Sequence, residues 1–310
     1  MLYLLTLFLG LFLLVKGANM TIDGASKLAK HLGVSELFIG LSIVSVGTSL
    51  PELVVSVRAA ILNSGVSISN IMGSNIANLA LALGLAATVH PIHLEDSSFK
   101  YELPFCTLLS IVFGTMVLWH TPPILVRWEG YILLLFLATF LWYLYRMGTK
   151  KTVHLEAENE HKVWKLVMIT ALGLAGVMIG GDMAVKSAVK FAKAAGITET
   201  LIGVSAIAIG TSLPEIVTTV TAMLKKRSSL AFGNIIGSNV INIALIMGLS
   251  ATIRPIGLDV EKPVVDVLYM ISLPVFLLLT MGEKKTISRG MGILLLASYT
   301  FYMTYVFFRG

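Results

Sequence analysis

The chain has 310 residues, 56% of them hydrophobic and only 13% charged, with a mean hydropathy of +0.87 and a net charge of +6. Soluble domains carry about 25% charged residues, so the composition excludes a soluble globular domain, and the excess of Lys and Arg reads as membrane topology rather than a nucleic-acid surface. The single cysteine, Cys106, excludes an intrachain disulfide, and no Cys/His cluster or HExxH motif is present.

Taken in chain order, the apolar runs predict ten membrane spans. The first covers 2–18. Its start, Leu2–Val15, lacks a basic n-region and an A-x-A-like cleavage site, so it reads as a mature helix rather than a signal peptide. Spans follow at 36–62, which contains the hexapeptide GTSLPE (Gly47–Glu52), and at 67–90, which contains GSN (Gly73–Asn75). Two more, 103–120 and 125–145, complete a first group of five. The most polar interruption, Arg146–Lys165, carries Lys150, Lys151, Glu156, Glu158, His161 and Lys162 and reads as a linker. The second group covers 163–184, 199–223, 229–252, 264–281 and 287–307. It repeats GTSLPE at Gly210–Glu215 and GSN at Gly237–Asn239.

The two groups are an internal repeat. Residues 9–52 align with 172–215 without a gap, and twenty of the 44 positions are identical. An odd number of spans per half forces the halves to cross the membrane in opposite senses, the arrangement of inverted-repeat transporters. The expected fold is therefore an all-α polytopic membrane protein of ten transmembrane helices in two inverted five-helix repeats. The first repeat is 1–145 with its motif region at 40–84, the linker is 146–165, and the second repeat is 166–310 with its motif region at 203–248. With both termini outside, 15 of the 23 Lys and Arg residues fall on the inner side. That bias predicts a cytoplasmic linker in a cell (inner) membrane protein.

The chemistry centres on the duplicated motifs. A carboxylate in hydrocarbon is expensive and marks function by default; here Glu52 and Glu215 repeat. Pro51 and Pro214 remove a helical donor and free the carbonyls of Gly47 and Gly210, and free carbonyls at membrane depth survive only where they line a cavity. Thr48, Ser49, Thr211 and Ser212 add hydroxyls, with Thr48 and Glu52 expected on one helical face. On the following helices Ser74 and Asn78, and Ser238 and Asn242, are also four apart. Gly73 and Gly237 are expected to let these helices approach closely. The set supplies oxygen and neither thiol nor imidazole, which suits Ca²⁺ or Na⁺ rather than Zn²⁺ or Cu⁺. Asn75 and Asn239 read as helix bridges, Glu36 and Glu199 as helix-start caps, and His90 and His93 as interfacial.

GTSLPELVVS (Gly47–Ser56) with GSNIANL (Gly73–Leu79), and GTSLPEIVTT with GSNVINI, resemble the two alpha-repeats of prokaryotic sodium/calcium exchangers, members of the calcium/cation antiporter superfamily. The resemblance spans the chain. It implies ten helices, ions held between spans 2, 3, 7 and 8, and spans 1 and 6 as a long tilted pair sliding over the core. By motif it implies Thr48, Ser49, Glu52, Ser74, Asn78, Thr211, Ser212, Glu215 and Ser238 as ion ligands, with the backbone carbonyls of Ser45 and Ala208. Family members often carry aspartate where this chain has Asn242, so this site has two acids and two amides. The expected function is Na⁺/Ca²⁺ antiport by alternating access. It uses no cofactor, no nucleic acid and no obligate protein partner; its substrates are Ca²⁺ and Na⁺ and its medium is the lipid bilayer. The alternatives are H⁺/Ca²⁺ or other divalent cation exchange, a passive channel, and a membrane-embedded two-carboxylate hydrolase. The last lacks a nucleophile–base pair.

Overall fold

Helix formation follows the apolar runs closely, because a bilayer leaves backbone groups no partner but their own helix. The computed structural model describes residues 2–62, 66–149, 160–194, 210–258 and 263–309. Among these, α1 is Leu2–His31, α2 Glu36–Thr48, α3 Leu50–Ile61, α4 Val66–Val89, α5 Ser98–Trp119 and α6 Arg127–Thr149. The second half holds α7 Glu160–Ala194, α8 Leu213–Leu224, α9 Ser228–Ile253, α10 Pro263–Met281 and α11 Arg289–Arg309. Eight of these helices are long and apolar enough to span a membrane. The pair α2–α3, bent by 49°, makes a ninth. The expected span at 199–223 is described only from Gly210 onward, where α8 occupies its end; residues 195–209 lie outside the described residues.

Several expected boundaries move. The first span was expected to end at 18, where apolarity fades, yet α1 continues to His31 with Asp23, Lys27 and Lys30 on its exposed side. Gly33, at φ 66°, closes it: the Val34 N–H reaches back to the Ala29 carbonyl, a left-handed turn that only glycine makes without penalty. Helix enters the segment expected as the linker, 146–165, from both ends, since α6 runs to Thr149 and α7 starts at Glu160; residues 150–159 lie outside the described residues.

At 1.5 Å per residue, α1 and α7 are about 45 and 52 Å long, more than the ~30 Å hydrocarbon core, so each either tilts or extends beyond it. They pack on each other along glycines spaced by seven. A Cβ on Gly17 would lie 2.5 Å from Val177 N, and one on Gly180 only 2.4 Å from Leu14 N. Without a hydrophobic drive between helices in lipid, such backbone-to-backbone approach is what holds them. The far end of α1 and the start of α2 are tied to the α8–α9 connection by ion pairs: Lys225 with Asp23 at 2.7 Å, and Arg227 with Glu36 at 2.8 Å. Glu36 therefore serves an ion pair, while Ser35 caps α2 by accepting from the Phe38 N–H.

The core is α2–α3, α4, α8 and α9; α9 is almost entirely enclosed. Around it, α11 packs on α4 through Gly84 and Gly292, and α6 packs on α9 through Gly130 and Gly248. Two short antiparallel ladders close the connections, β1 (Ile92–His93) with β4 (Thr286–Ile287) and β2 (Ile124–Leu125) with β3 (Ile256–Gly257).

Candidate functional site

Both hexapeptides adopt one local geometry. Ser49 (φ −85°, ψ 5°) and Ser212 (φ −84°, ψ 0°) sit at the break, and Pro51 and Pro214 follow inside the first turn of α3 and α8. The break falls at the serine rather than at the preceding glycine. Thr48 thus ends one helix and Glu52 begins the next, and the expected shared face of Thr48 and Glu52 is replaced by a bend. The consequence is electrostatic: Glu52 and Glu215 each lie in the first turn of a helix, where unpaired N–H groups favour an anion.

A second irregularity also repeats. α4 is π-helical over Ala77–Ala82 and α9 over Asn242–Met247. A π-turn adds a residue to the helical circuit and often marks functional positions. It carries Asn78 in one half and Asn242 in the other.

The predicted residues converge. Ser45, Thr48, Ser49, Glu52, Ser74, Asn78, Ser212, Glu215, Ser238 and Asn242 are all at most 1% exposed, and Thr211 is half-buried. Ala208 lies outside the described residues. The halves interlock. Ser49 Oγ donates to Glu215 Oε1 at 3.0 Å, and the hydroxyls of Thr48 and Ser238 also face Glu215. Glu52 is faced by Ser74, 3.5 Å away, and by Thr211, and the hydroxyls of these two are 3.2 Å apart. The Ser45 carbonyl accepts from the Ser49 N–H at 3.1 Å and lies 3.4 Å from the hydroxyls of both Thr48 and Ser238. Gly237 permits this closeness, since a Cβ there would lie 2.6 Å from Ser45 Oγ; at Gly73 no described atom lies within 4 Å of the equivalent point.

Four asparagines bridge α4 and α9 at the centre. Asn75 Nδ2 donates to the Asn239 carbonyl and Asn239 Nδ2 to the Asn75 carbonyl, both at 3.3 Å. A backbone carbonyl can only accept, so these bonds orient both amides. Asn75 Oδ1 then receives Asn242 Nδ2 at 3.0 Å, and Asn239 Oδ1 receives Asn78 Nδ2 at 2.9 Å. The nitrogen ends of Asn78 and Asn242 are thereby turned to these asparagines, which leaves their oxygens for other partners. Asn78 Oδ1, Asn242 Oδ1, Glu52 Oε2, Glu215 Oε2 and Ser212 Oγ are all buried without a hydrogen-bond partner among the described residues. Buried polar atoms are rarely left so, and here four are acceptors only.

Sequence reasoning missed the layer behind these groups. Asn70 and Asn234 repeat at the same spacing as the GSN motifs, as Ser56 and Thr219 repeat at that of the hexapeptides. Asn70 Nδ2 donates to Ser56 Oγ at 3.2 Å, and Asn234 Nδ2 to Thr219 Oγ1 at 3.0 Å. Extending the repeat comparison beyond the motifs was the signal that could have found them.

A profile of the family described as "Sodium/calcium exchanger protein" matches residues 2–146 and 165–308. The chain belongs to the sodium/calcium exchanger family. It is 32% identical over 343 residues to sodium/calcium exchanger MaX1 of Methanosarcina acetivorans, covering 98% of each chain. It is 35% identical over 316 residues to inner membrane protein YrbG of Escherichia coli, covering 97% of this chain and 95% of the other. The solved structure of the sodium-calcium exchanger NCX_Mj soaked with 10 mM Na⁺ and zero Ca²⁺ superposes with a TM-score of 0.86 at 29% identity, covering 98% of both chains. This family member is a helical membrane protein, and its likeness to those proteins runs end to end.

Proposed function

We infer that this chain exchanges Na⁺ for Ca²⁺ across the membrane by alternating access, with the ions bound midway between two inverted five-helix repeats. The observation that carries the reading is the set of unsatisfied acceptors: two carboxylate and two carboxamide oxygens, buried, contributed equally by the two halves. Oxygen-only donors suit hard cations. Two carboxylates balance one Ca²⁺ or two Na⁺, so either ion neutralises the site and the two compete for it. Ser45, Thr48, Ser49, Ser74, Thr211, Ser212 and Ser238, with Ala208 as a carbonyl, complete the proposed ligand set. No cofactor is required.

Placement follows from the same reasoning. Residues 1–145 and 166–310 form the repeats around the 146–165 linker, both termini lie outside, and the linker is cytoplasmic, in the cell's inner membrane. The name of the YrbG relative supports that membrane. The test is ⁴⁵Ca²⁺ uptake into proteoliposomes with Na⁺, K⁺ or H⁺ gradients imposed one at a time. Uptake driven by Na⁺ alone is expected; uptake driven only by H⁺ would move the chain to H⁺/Ca²⁺ exchange.

A further inference from the structure

We propose that Asn234 and Asn70 are positioning residues that aim the threonine hydroxyls of the opposite hexapeptide at the transported cation. The inference rests on the ion site described above and extends it by one layer.

The geometry is reciprocal. The Thr48 hydroxyl, from the first half, donates to Asn234 Oδ1 of the second at 3.1 Å. The Thr211 hydroxyl, from the second half, donates to Asn70 Oδ1 of the first at 3.3 Å. Asn234 is fully buried and Asn70 nearly so, and each holds its amide with a second bond from Nδ2 to a hydroxyl on α8 or α3. A hydroxyl has one proton and two lone pairs. A cation needs the lone pairs, and a proton pointing at it repels it. An acceptor behind the hydroxyl takes the proton and leaves the oxygen facing the ion. Glu215 and the Ser45 carbonyl also adjoin Thr48. A cation engages the carboxylate, however, and Asn234 Oδ1, at 3.1 Å, lies nearer the Thr48 hydroxyl than the Ser45 carbonyl or Ser238 Oγ, both at 3.4 Å. Partners that orient a ligand in this way change metal affinity by roughly 10–100-fold when removed.

The two threonines differ in which carboxylate they accompany, Thr48 with Glu215 and Thr211 with Glu52. Two Na⁺ ions repel and must separate, so each draws on one threonine. A single Ca²⁺ between the carboxylates leans less on either. Removing Asn234 should therefore weaken Na⁺ more than Ca²⁺.

The experiment is a double-mutant cycle in proteoliposomes with Asn234→Ala, Thr48→Val and the pair, reading half-saturating Na⁺ and Ca²⁺ separately. Asn234→Ala is expected to raise half-saturating Na⁺ about 10-fold and half-saturating Ca²⁺ by less. Thr48→Val should do the same, and the double variant should match the singles, because Asn234 acts only through Thr48. A merely structural asparagine would cost as much with Thr48 absent as with it present. Additive effects, equal shifts for both ions, or no shift would each overturn the proposal. If Asn234→Ala does not fold, the Asn70→Ala and Thr211→Val cycle carries the same expectation. A wild type without Na⁺-driven flux would sink the exchange reading alone. The cycle would then be read in ⁴⁵Ca²⁺ binding to the purified protein, where non-additivity supports the positioning role and additivity removes it.

Discussion

Glu52 and Glu215 are the only acids among the described groups that converge at the centre, and each sits in the first turn of a helix with one carboxylate oxygen that has no partner among the described residues. Glu→Gln keeps the shape and halves the site's charge, and Ca²⁺ affinity in oxygen cages depends on ligand charge. Glu52→Gln and Glu215→Gln are each expected to lower Ca²⁺ flux by more than the roughly 100-fold that outer-layer changes reach. Both variants should elute as folded protein. Near-wild-type ⁴⁵Ca²⁺ uptake by either would remove that residue from the site. Asn242 makes a subtler case. Asn75 spends its NH₂ on the Asn239 carbonyl, so its Oδ1 requires a donor from position 242. An aspartate meets that demand only as a carboxylic acid; ionised, it sets acceptor against acceptor and adds a third charge. Asn242→Asp should thus exchange like the wild type in mild acid and change activity as pH rises, while the wild type lacks that component. The measurement is Na⁺-driven Ca²⁺ flux of both proteins over about pH 5 to 9, a range bracketing ordinary and strongly shifted carboxyls. Superimposable profiles would place Asn242 outside the ion path.

At the scale of elements, α1 and α7 meet through glycines whose neighbours are backbone atoms, which cannot swing aside as a side-chain tip can. Gly17→Val is expected to destabilise the protein by about 1–3 kcal/mol, the usual cost of overpacking. Gly290→Ala, whose added Cβ meets only Ser288 Oγ at 3.8 Å, should stay within about 1 kcal/mol of wild type, the size of the Gly–Ala helix difference. Thermal unfolding in detergent separates them, and equal midpoints would refute the close-packed seam. The helices themselves were mostly legible in the sequence, because apolar runs of this length have few other fates. The additions were not. The last turns of α1 carry Asp23, Lys27 and Lys30, and they stay helical because α7 and the α8–α9 connection supply partners that no local pattern announces. The π-turns under Asn78 and Asn242 have no composition of their own. Thr48, Glu52 and their repeats were readable because polarity in an apolar run is conspicuous, whereas Asn70 and Asn234 act through another residue, and only the fold reveals that residue.

Considered as a whole molecule, the chain repeats its contacts across a common centre. Asn75 and Asn239 exchange identical bonds, Thr48 and Thr211 each reach an asparagine of the other half, and Gly84–Gly292 answers Gly130–Gly248. Reciprocity of this kind follows if the halves are related by a two-fold axis. An axis lying in the membrane plane turns one half upside down relative to the other, which is how inverted repeats make a site that opens to either side. Equivalent connections should then lie on opposite faces of the membrane. The connection after α3 and the connection after α8 are such a pair. Cysteines at Ser64, which lies outside the described residues, and at Lys226 should label from opposite sides, Ser64 externally and Lys226 from the cytoplasm. Cys106 is buried and must be replaced in this background to keep the readout clean. The measurement is membrane-impermeant maleimide labelling of right-side-out and inverted vesicles. Labelling of both positions from the same face would break the inverted arrangement and the ten-span count together, since an axis normal to the membrane would leave equivalent loops on one side.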